Sequence, residues 1–260
     1  MENLQNIKSI KSSAEKAEME YNEIADGHEQ ATKRELRKYT SDYSWAKLLG
    51  DLKGKRALDL ACGEGISSRL LRDLGADEVV GVDISEKLIN KAATEEKRIN
   101  PDRPIEYIVG DIANLPVKGK FDVITGAMAL HYSDSEDMMR KIISGAKNNL
   151  ESGGFFYASI PNPERMKGSD SYGVKMTPTT GEEGSAVKIE LKDFKNKKLS
   201  EFTNYYWFKE TYEKIFKEAG FDIEWVDSEV SPEGKKELGE EFWQEYEKNP
   251  VYVMIKAKLK

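Results

Sequence analysis

The stretch ALDLACGEGIS, Ala57 to Ser67, constrains the fold more than any other part of this chain. A short apolar run, Ala57–Leu60, breaks into Gly-Glu-Gly and resumes as Ile-Ser-Ser-Arg-Leu-Leu. Ile66, Leu70 and Leu74 then recur at helical spacing, and Gly75 ends the helix. A strand feeding a glycine turn that feeds a helix is how a chain builds a nucleotide pocket.

The same alternation continues to Ile160. Glu78–Val82, Ile105–Val109, Phe121–Thr125 and Phe155–Ile160 read as strands. Between them, Ser85 can cap a helix carrying Leu88, Ile89 and Ala92. Met139, Ile142, Ile143, Ala146 and Leu150 form a second apolar stripe, closed by Gly153-Gly154. Strands and helices in this order make a parallel sheet covered on both faces, and right-handed crossovers make it doubly wound. After Pro161 the pattern changes. PNPERMKGSDSYGVKMTPTTGEEG is turn-rich with no helical period, so an irregular segment is expected there. Ser185–Leu191 alternates, and Leu199–Trp207 follows a Lys/Asn turn, which predicts an inserted antiparallel hairpin. Phe208 to Ala219 reads as a helix, Phe221–Val226 as a strand, Glu233–Glu247 as helical and Val251–Lys256 as a last strand. The expected division is a helical lid over 1–48, a core over 49–160, a β insertion over 161–207, and a return to the core over 208–260.

Composition narrows the function classes. The formal net charge of -7 weighs against a nucleic-acid partner. Lys195, Lys197 and Lys198 cluster, but in a turn where solvation explains them. A single cysteine, Cys62, excludes an intrachain disulfide and leans to a cytoplasmic setting. The first twenty residues lack the apolar region of a secretory signal, and no run reaches the ~18–20 apolar residues of a membrane span.

A dinucleotide fingerprint wants a third glycine where this chain has Ser68, and a P-loop wants Gly-Lys-Ser/Thr, which does not follow. A nucleoside without a phosphate fits better. Asp59 precedes the turn, Asp83 ends VVGVDIS and Asp111 ends YIVGDIANLP, so acids stand at successive strand ends. An ionised Asp83 can accept from both ribose hydroxyls, and Asp111 from an adenine amino group. DLACGEG, VVGVDIS, VGDIANLP and FDVITGAMALHY, in this order, resemble the class I S-adenosylmethionine-dependent methyltransferases. The resemblance spans about Leu52 to Ile160 and implies seven strands, the last antiparallel. Tyr21 in EYNEIA, NYYW at Asn204–Trp207, SPEG at Ser231–Gly234 and EFWQEYEKNP are similar to the small-molecule enzymes grouped with the toxoflavin-pathway methyltransferase.

By that resemblance S-adenosylmethionine is the cofactor. Asp59, Gly63 and Gly65 would contact its methionine end, with Tyr21 also on the cofactor. Asp83 and Ile84 would hold the ribose and adenine edge, Asp111 and Ile112 would flank the adenine, and Ala127 would lie near the sulfonium. Glu64, between the glycines, is expected to be exposed. No metal is expected. Methyl transfer needs a nucleophile aligned in line with the methyl and shielded from water. Two aromatic segments suit a lid: Tyr21, Tyr39, Tyr43 and Trp45, and Tyr172, Met176, Tyr205, Tyr206 and Trp207. Such a lid suits a flat small-molecule acceptor. Tyr132, Asn162, Tyr172, Tyr205 and Tyr206 are the expected acceptor contacts. His131, after strand four, is the candidate general base, with a structural loop histidine as the competing interpretation. An RNA or protein methyltransferase and a non-catalytic cofactor-binding regulator are the alternatives. The Asn/Asp-Pro-Pro-Tyr/Phe motif of enzymes that methylate exocyclic base amines is absent, with GAMA in its place.

Overall fold

A computed structural model describes residues 36–100, 105–117, 119–193 and 195–260. A π-helical turn, Arg37–Asp42, runs into helix α1 (Tyr43–Leu49). Then follow β1 (Arg56–Leu60), α2 (Ile66–Asp73), β2 (Glu78–Asp83), α3 (Glu86–Ile99), β3 (Glu106–Val109) and β4 (Phe121–Ala127). α4 (Glu136–Asn149), β5 (Leu150–Pro161) and a short α5 (Pro163–Met166) come next. The remainder is β6 (Ser169–Ser171), β7 (Val174–Pro178), β8 (Ala186–Lys192), β9 (Lys198–Tyr205), α6 (Lys209–Glu218), β10 (Phe221–Asp227), α7 (Pro232–Leu238), α8 (Glu240–Lys248) and β11 (Tyr252–Leu259).

Seven strands form one sheet in the order β10-β11-β5-β4-β1-β2-β3. β11 runs antiparallel to both β5 and β10, and the pairings among β1 to β5 are parallel. This is the doubly wound α/β sheet that the alternation implied, with the antiparallel last strand that the resemblance implied. The Ser85 hydroxyl accepts from the Leu88 N–H and starts α3, as the sequence implied, and Ser135 likewise accepts from the Met138 N–H at the start of α4. Met139, Ile142, Ile143 and Ala146 of α4 are buried against Leu58, Ile124 and Phe156 of the sheet. Among the described residues no helix is long and apolar enough to cross a membrane.

The insertion is more regular than expected. β6 and β7 lie inside the turn-rich stretch after Pro161 and extend the hairpin to a four-stranded antiparallel sheet, β6-β7-β8-β9. Gly173, at φ 69°, and Tyr172, at φ 52°, form the tight turn between β6 and β7. The two apolar residues of β7, Val174 and Met176, are too few for periodicity to reveal a strand, yet both are buried.

This second sheet packs on a second core. Trp243 of α8 is its centre: the ring is fully buried, lies flat on Tyr172 at 5.6 Å between centroids, and meets Tyr39 edge-on at 6.4 Å. Its indole N–H donates to the Gly234 carbonyl at 2.9 Å. The SPEG and EFWQEYEKNP segments therefore pin the lid sheet and the Arg37–Asp42 turn together. Trp243→Ala should cost about 3–5 kcal/mol of stability, as for other buried large-to-small aromatic truncations. Urea unfolding would check this, and a loss under 1 kcal/mol would mean the second core is not cooperative with the fold.

Candidate functional site

The sheet order reverses at β1, whose neighbours β2 and β4 lead away in opposite directions. Ligands of open α/β sheets sit in the crevice at such a switch point, beyond the carboxyl ends of the strands. A cavity of about 230 Å³ lies there. On the sheet side it is lined by the β1 turn, by Asp83 and Ile84 after β2, by Asp111 and Ile112 after β3, and by Ala127 and Met128 at the end of β4.

The turn is built from positive φ angles. Ala61 (φ 55°), Gly63 (φ 54°) and Gly65 (φ 77°) all adopt the left-handed region. Gly63 faces open space, with no atom within 4 Å of where a Cβ would stand. At Gly65 a Cβ would overlap the Tyr107 hydroxyl, so this glycine admits the β3 tyrosine beneath the turn. Asp83 anchors the turn from the neighbouring strand. One carboxylate oxygen accepts the Gly63 N–H at 2.8 Å and the other the Ser85 N–H at 2.9 Å. Burial still holds the Asp83 carboxyl above its ordinary range, against those two bonds. Asp111 caps the single helical turn Ile112–Asn114, accepting from the Ala113 N–H at 2.8 Å. Both acids line the cavity, and each carboxylate has more lone pairs than these bonds use.

The far wall is the lid sheet. Register places Val174 opposite Leu191, Met176 opposite Ile189, and Ile189 opposite Phe202. Alternation therefore puts these side chains on one face, and that face closes the cavity. Tyr132 joins it, 6.1 Å from Phe202 between ring centroids. Arg37, Ser41 and Trp45 complete the mouth beside the β1 turn.

Residues 57–154 match the family model described as a methyltransferase domain. Over that stretch the chain is similar to methyltransferase domains, and its seven-stranded sheet has their Rossmann-like fold. The cypemycin N-terminal methyltransferase of a Streptomyces species is 31% identical over 125 residues, 48% of this chain and 49% of that protein. The mRNA cap guanine-N(7) methyltransferase of Caenorhabditis elegans is 29% identical over 123 residues, 43% of this chain and 32% of that one. The chain thus spans about half the length, or less, of the curated relatives it matches. The crystal structure of magnesium protoporphyrin IX methyltransferase from Synechocystis PCC 6803 with bound S-adenosylmethionine superposes with a TM-score of 0.61. That alignment covers 97% of this chain and 99% of that one at 16% identity, a likeness of fold.

Of the expected cofactor contacts, Gly63, Asp83, Ile84, Asp111, Ile112 and Ala127 all line the cavity. Asp59 does not. It is fully buried under the turn, where it accepts from the Ser68 hydroxyl at 2.6 Å and the Thr125 hydroxyl at 2.8 Å, so its role is to brace the site. Burial, partly offset by those two hydroxyls, pushes its carboxyl up to about 6. Gly65 is likewise a packing glycine and does not line the cavity. Glu64 is not solvent-facing: its side chain is only 13% exposed and lines the cavity, 3.9 Å from the Lys91 ammonium. Tyr21 lies outside the described residues.

The expected acceptor contacts fare less well. Tyr132 lines the cavity, but Asn162, Tyr172, Tyr205 and Tyr206 do not. Asn162 caps α5 through the Glu164 N–H and donates to the Asn249 side chain and the Pro250 carbonyl, joining β5 to the loop before β11. Tyr172 stacks on Trp243 and gives its hydroxyl proton to the Phe242 carbonyl. Tyr206 is buried in the second core and Tyr205 packs against the first. Trp207 packs too, donating to the Ser133 carbonyl at 2.9 Å. The cavity's lid contacts are instead Val174, Met176, Ile189, Leu191, Phe202 and Asn204, which the sequence reading missed except Met176. Alternation in β8 was visible, but which face meets the cavity depends on how β9 returns.

The structure does not bring His131, the expected base, to the cavity. The residue is fully buried and packs on Tyr132 at 4.7 Å between ring centroids. Burial pushes its imidazole down to about 3. The unfolded chain takes up a proton near pH 6.5 that the folded chain refuses until about pH 3. Stability contributed by His131 is therefore present above pH 6.5 and lost as pH falls, at about 1.4 kcal/mol per unit. Relative to His131→Leu, the parent protein should lose about 2–3 kcal/mol between pH 7 and pH 4.5. Urea melts at both values would test this, and parallel pH profiles would mean the imidazole titrates normally.

Proposed function

We propose that this chain is an S-adenosylmethionine-dependent methyltransferase acting on N or O of a small, flat metabolite. The observation that carries it is the single cavity in which the acids at the ends of β2 and β3 face an apolar lid sheet across the β1 turn. The residues fit the cofactor. Asp83 keeps acceptor capacity beyond its two backbone bonds, as a vicinal diol requires, and the open side of Gly63 admits close approach to backbone. Asp111 and the Ile112 N–H at the start of its turn offer an acceptor and a donor to an adenine edge. Arg37, at the mouth beside the turn, supplies a cation for the carboxylate of the methionine end. When bound, the cofactor supplies a methyl on a sulfonium, an electrophile that the protein itself lacks.

The chain's own contribution is alignment and exclusion of water. Val174, Met176, Ile189, Leu191 and Phe202 give the acceptor side an apolar wall, which suits a neutral, flat molecule. With the imidazole withdrawn and the Cys62 thiol held protonated by burial, neither of these groups serves as a base near neutral pH. An acceptor that presents a free lone pair, or ionises readily in solution, therefore suits this site best. The net charge of -7 supports a small acceptor over RNA.

Asp83→Ala should weaken S-adenosylmethionine binding by about 1.5–3 kcal/mol, since it removes hydrogen bonds to a charged group and unpins Gly63. Arg37→Ala should weaken it by about 1 kcal/mol, since its guanidinium is partly exposed and already paired with Asp42. Calorimetry on both variants checks these, and unchanged affinity for Asp83→Ala would remove that acid from the cofactor site. Transfer of labelled methyl groups to heteroaromatic metabolites, but not to RNA or peptides, is the expected outcome of an acceptor screen.

A further inference from the structure

Among the side chains of β7 to β9 that line the cavity, one is polar. Alternation along β9 turns Ser200, Phe202 and Asn204 to the same buried side, and register sets Asn204 beside Val187 at the end of the strand. Asn204 is fully buried and lines the cavity. Neither its carbonyl oxygen nor its amide nitrogen has a hydrogen-bond partner among the described residues. A carboxamide carries two donors and an acceptor, and interiors rarely leave all of them unmatched. The other buried asparagines of the fold are used up within it: Asn162 bridges to Asn249 and Pro250, and Asn149 holds the Gly119 N–H and the Gly145 carbonyl. Asn204 alone of the three carries its amide, unspent, to the cavity wall.

We propose that Asn204 reads the methyl acceptor, and that the acceptor carries an N–H donor beside a carbonyl or ring-nitrogen acceptor on a flat ring, as a lactam or amino-azine does. This rests on the reading of the cavity as a cofactor and acceptor site. An Asn amide pairs with such an edge through two parallel hydrogen bonds, as it does with adenine. Its oxygen and nitrogen exchange by a flip, so the edge is accepted in either order. Phe202, two residues earlier on the same face, and Tyr132, 6.1 Å from it, offer ring surface for the plane of such a molecule. A site that hydrogen-bonds its ligand discriminates strongly against an analogue lacking the polar group, because the buried amide is then left unpaired. Asn204 is thus a specificity residue, and it lies on the lid sheet, away from the acids that face the cofactor.

The test uses two probes of the same outline, 2-quinolone and 2-methylquinoline, titrated by calorimetry into the full chain with S-adenosylhomocysteine present. The parent protein should bind 2-quinolone about tenfold or more tightly than 2-methylquinoline. Asn204→Leu, close to isosteric, should bring the ratio to about one or invert it, while S-adenosylhomocysteine affinity stays within about twofold. Asn204→Thr, which keeps one hydroxyl, serves as a second variant and should give an intermediate ratio. Equal binding of the two probes by the parent, no binding of 2-quinolone, or an unchanged ratio in Asn204→Leu would overturn the proposal. So would a tenfold loss of S-adenosylhomocysteine affinity in Asn204→Leu, which would place the amide on the cofactor. Failure of the parent protein to bind S-adenosylhomocysteine would instead overturn the cofactor reading itself.

Discussion

Asp59 holds the crevice together from below. Its two oxygens accept from Ser68 on α2 and Thr125 on β4, so one buried carboxylate ties the first strand, the helix after the turn and the strand across the switch point. An unpaired carboxylate at zero exposure would cost several kcal/mol. The two hydroxyl donors offset part of that, yet the group still titrates near 6, so at neutral pH it is charged under tension. Asp83, one strand over, carries the opposite duty. It too is nearly buried, but its donors are the backbone N–H groups of Gly63 and Ser85, and it lines the cavity with more lone pairs than these bonds use. The two acids divide the work: one sets where the turn stands, the other meets what binds in it.

That division explains which parts of the site were legible in the sequence. The strands of the sheet and the residues at the ends of β2 and β3 follow from local signals, namely apolar runs, a Ser cap, a glycine turn and an acid at each of those two strand ends, whereas the strand order rests on contacts distant in sequence. Motif position alone could not separate Asp59 from Asp83, because both stand near strand ends in the sequence. Only the partners do so, and Ser68 and Thr125 lie nine and sixty-six residues away from Asp59. His131 failed for a related reason. Its place after β4 was read correctly, but the direction of its ring depends on the turn Leu130–Tyr132, which sends Tyr132 to the cavity and His131 into the packing.

Aromatic residues in a lid segment suggest ligand contact, but few of these line the cavity. In this fold they are spent on attachment. Tyr172, Trp243, Tyr246 and Tyr39 stack and cross one another to build the second core, and Trp207 ties the end of β9 to the loop after β4. Large rings supply buried area where two sheets must be joined without a continuous core. The surface left facing the cavity is mainly aliphatic and thioether, with Phe202 and Tyr132 as the rings.

Two strained residues show where rigidity has been placed. Met128 sits at φ 59° as β4 ends, held there by its N–H bond to the Ser159 carbonyl at 2.9 Å, and Ala61 sits at φ 55° at the start of the turn. Left-handed backbone at non-glycine residues costs of order 1 kcal/mol or more each and survives only where the surroundings enforce it. Both residues line the cavity, on either side of the switch point. A glycine at either position would relieve the strain and remove the side chain that shapes the wall. The sheet side of the cavity is thus stiffened by strained backbone and buried acids, while the opposite wall is built from side chains on a separate sheet. On the proposed function, a side chain replaced in β7 to β9 would alter the acceptor wall without disturbing the glycine turn or its two carboxylates.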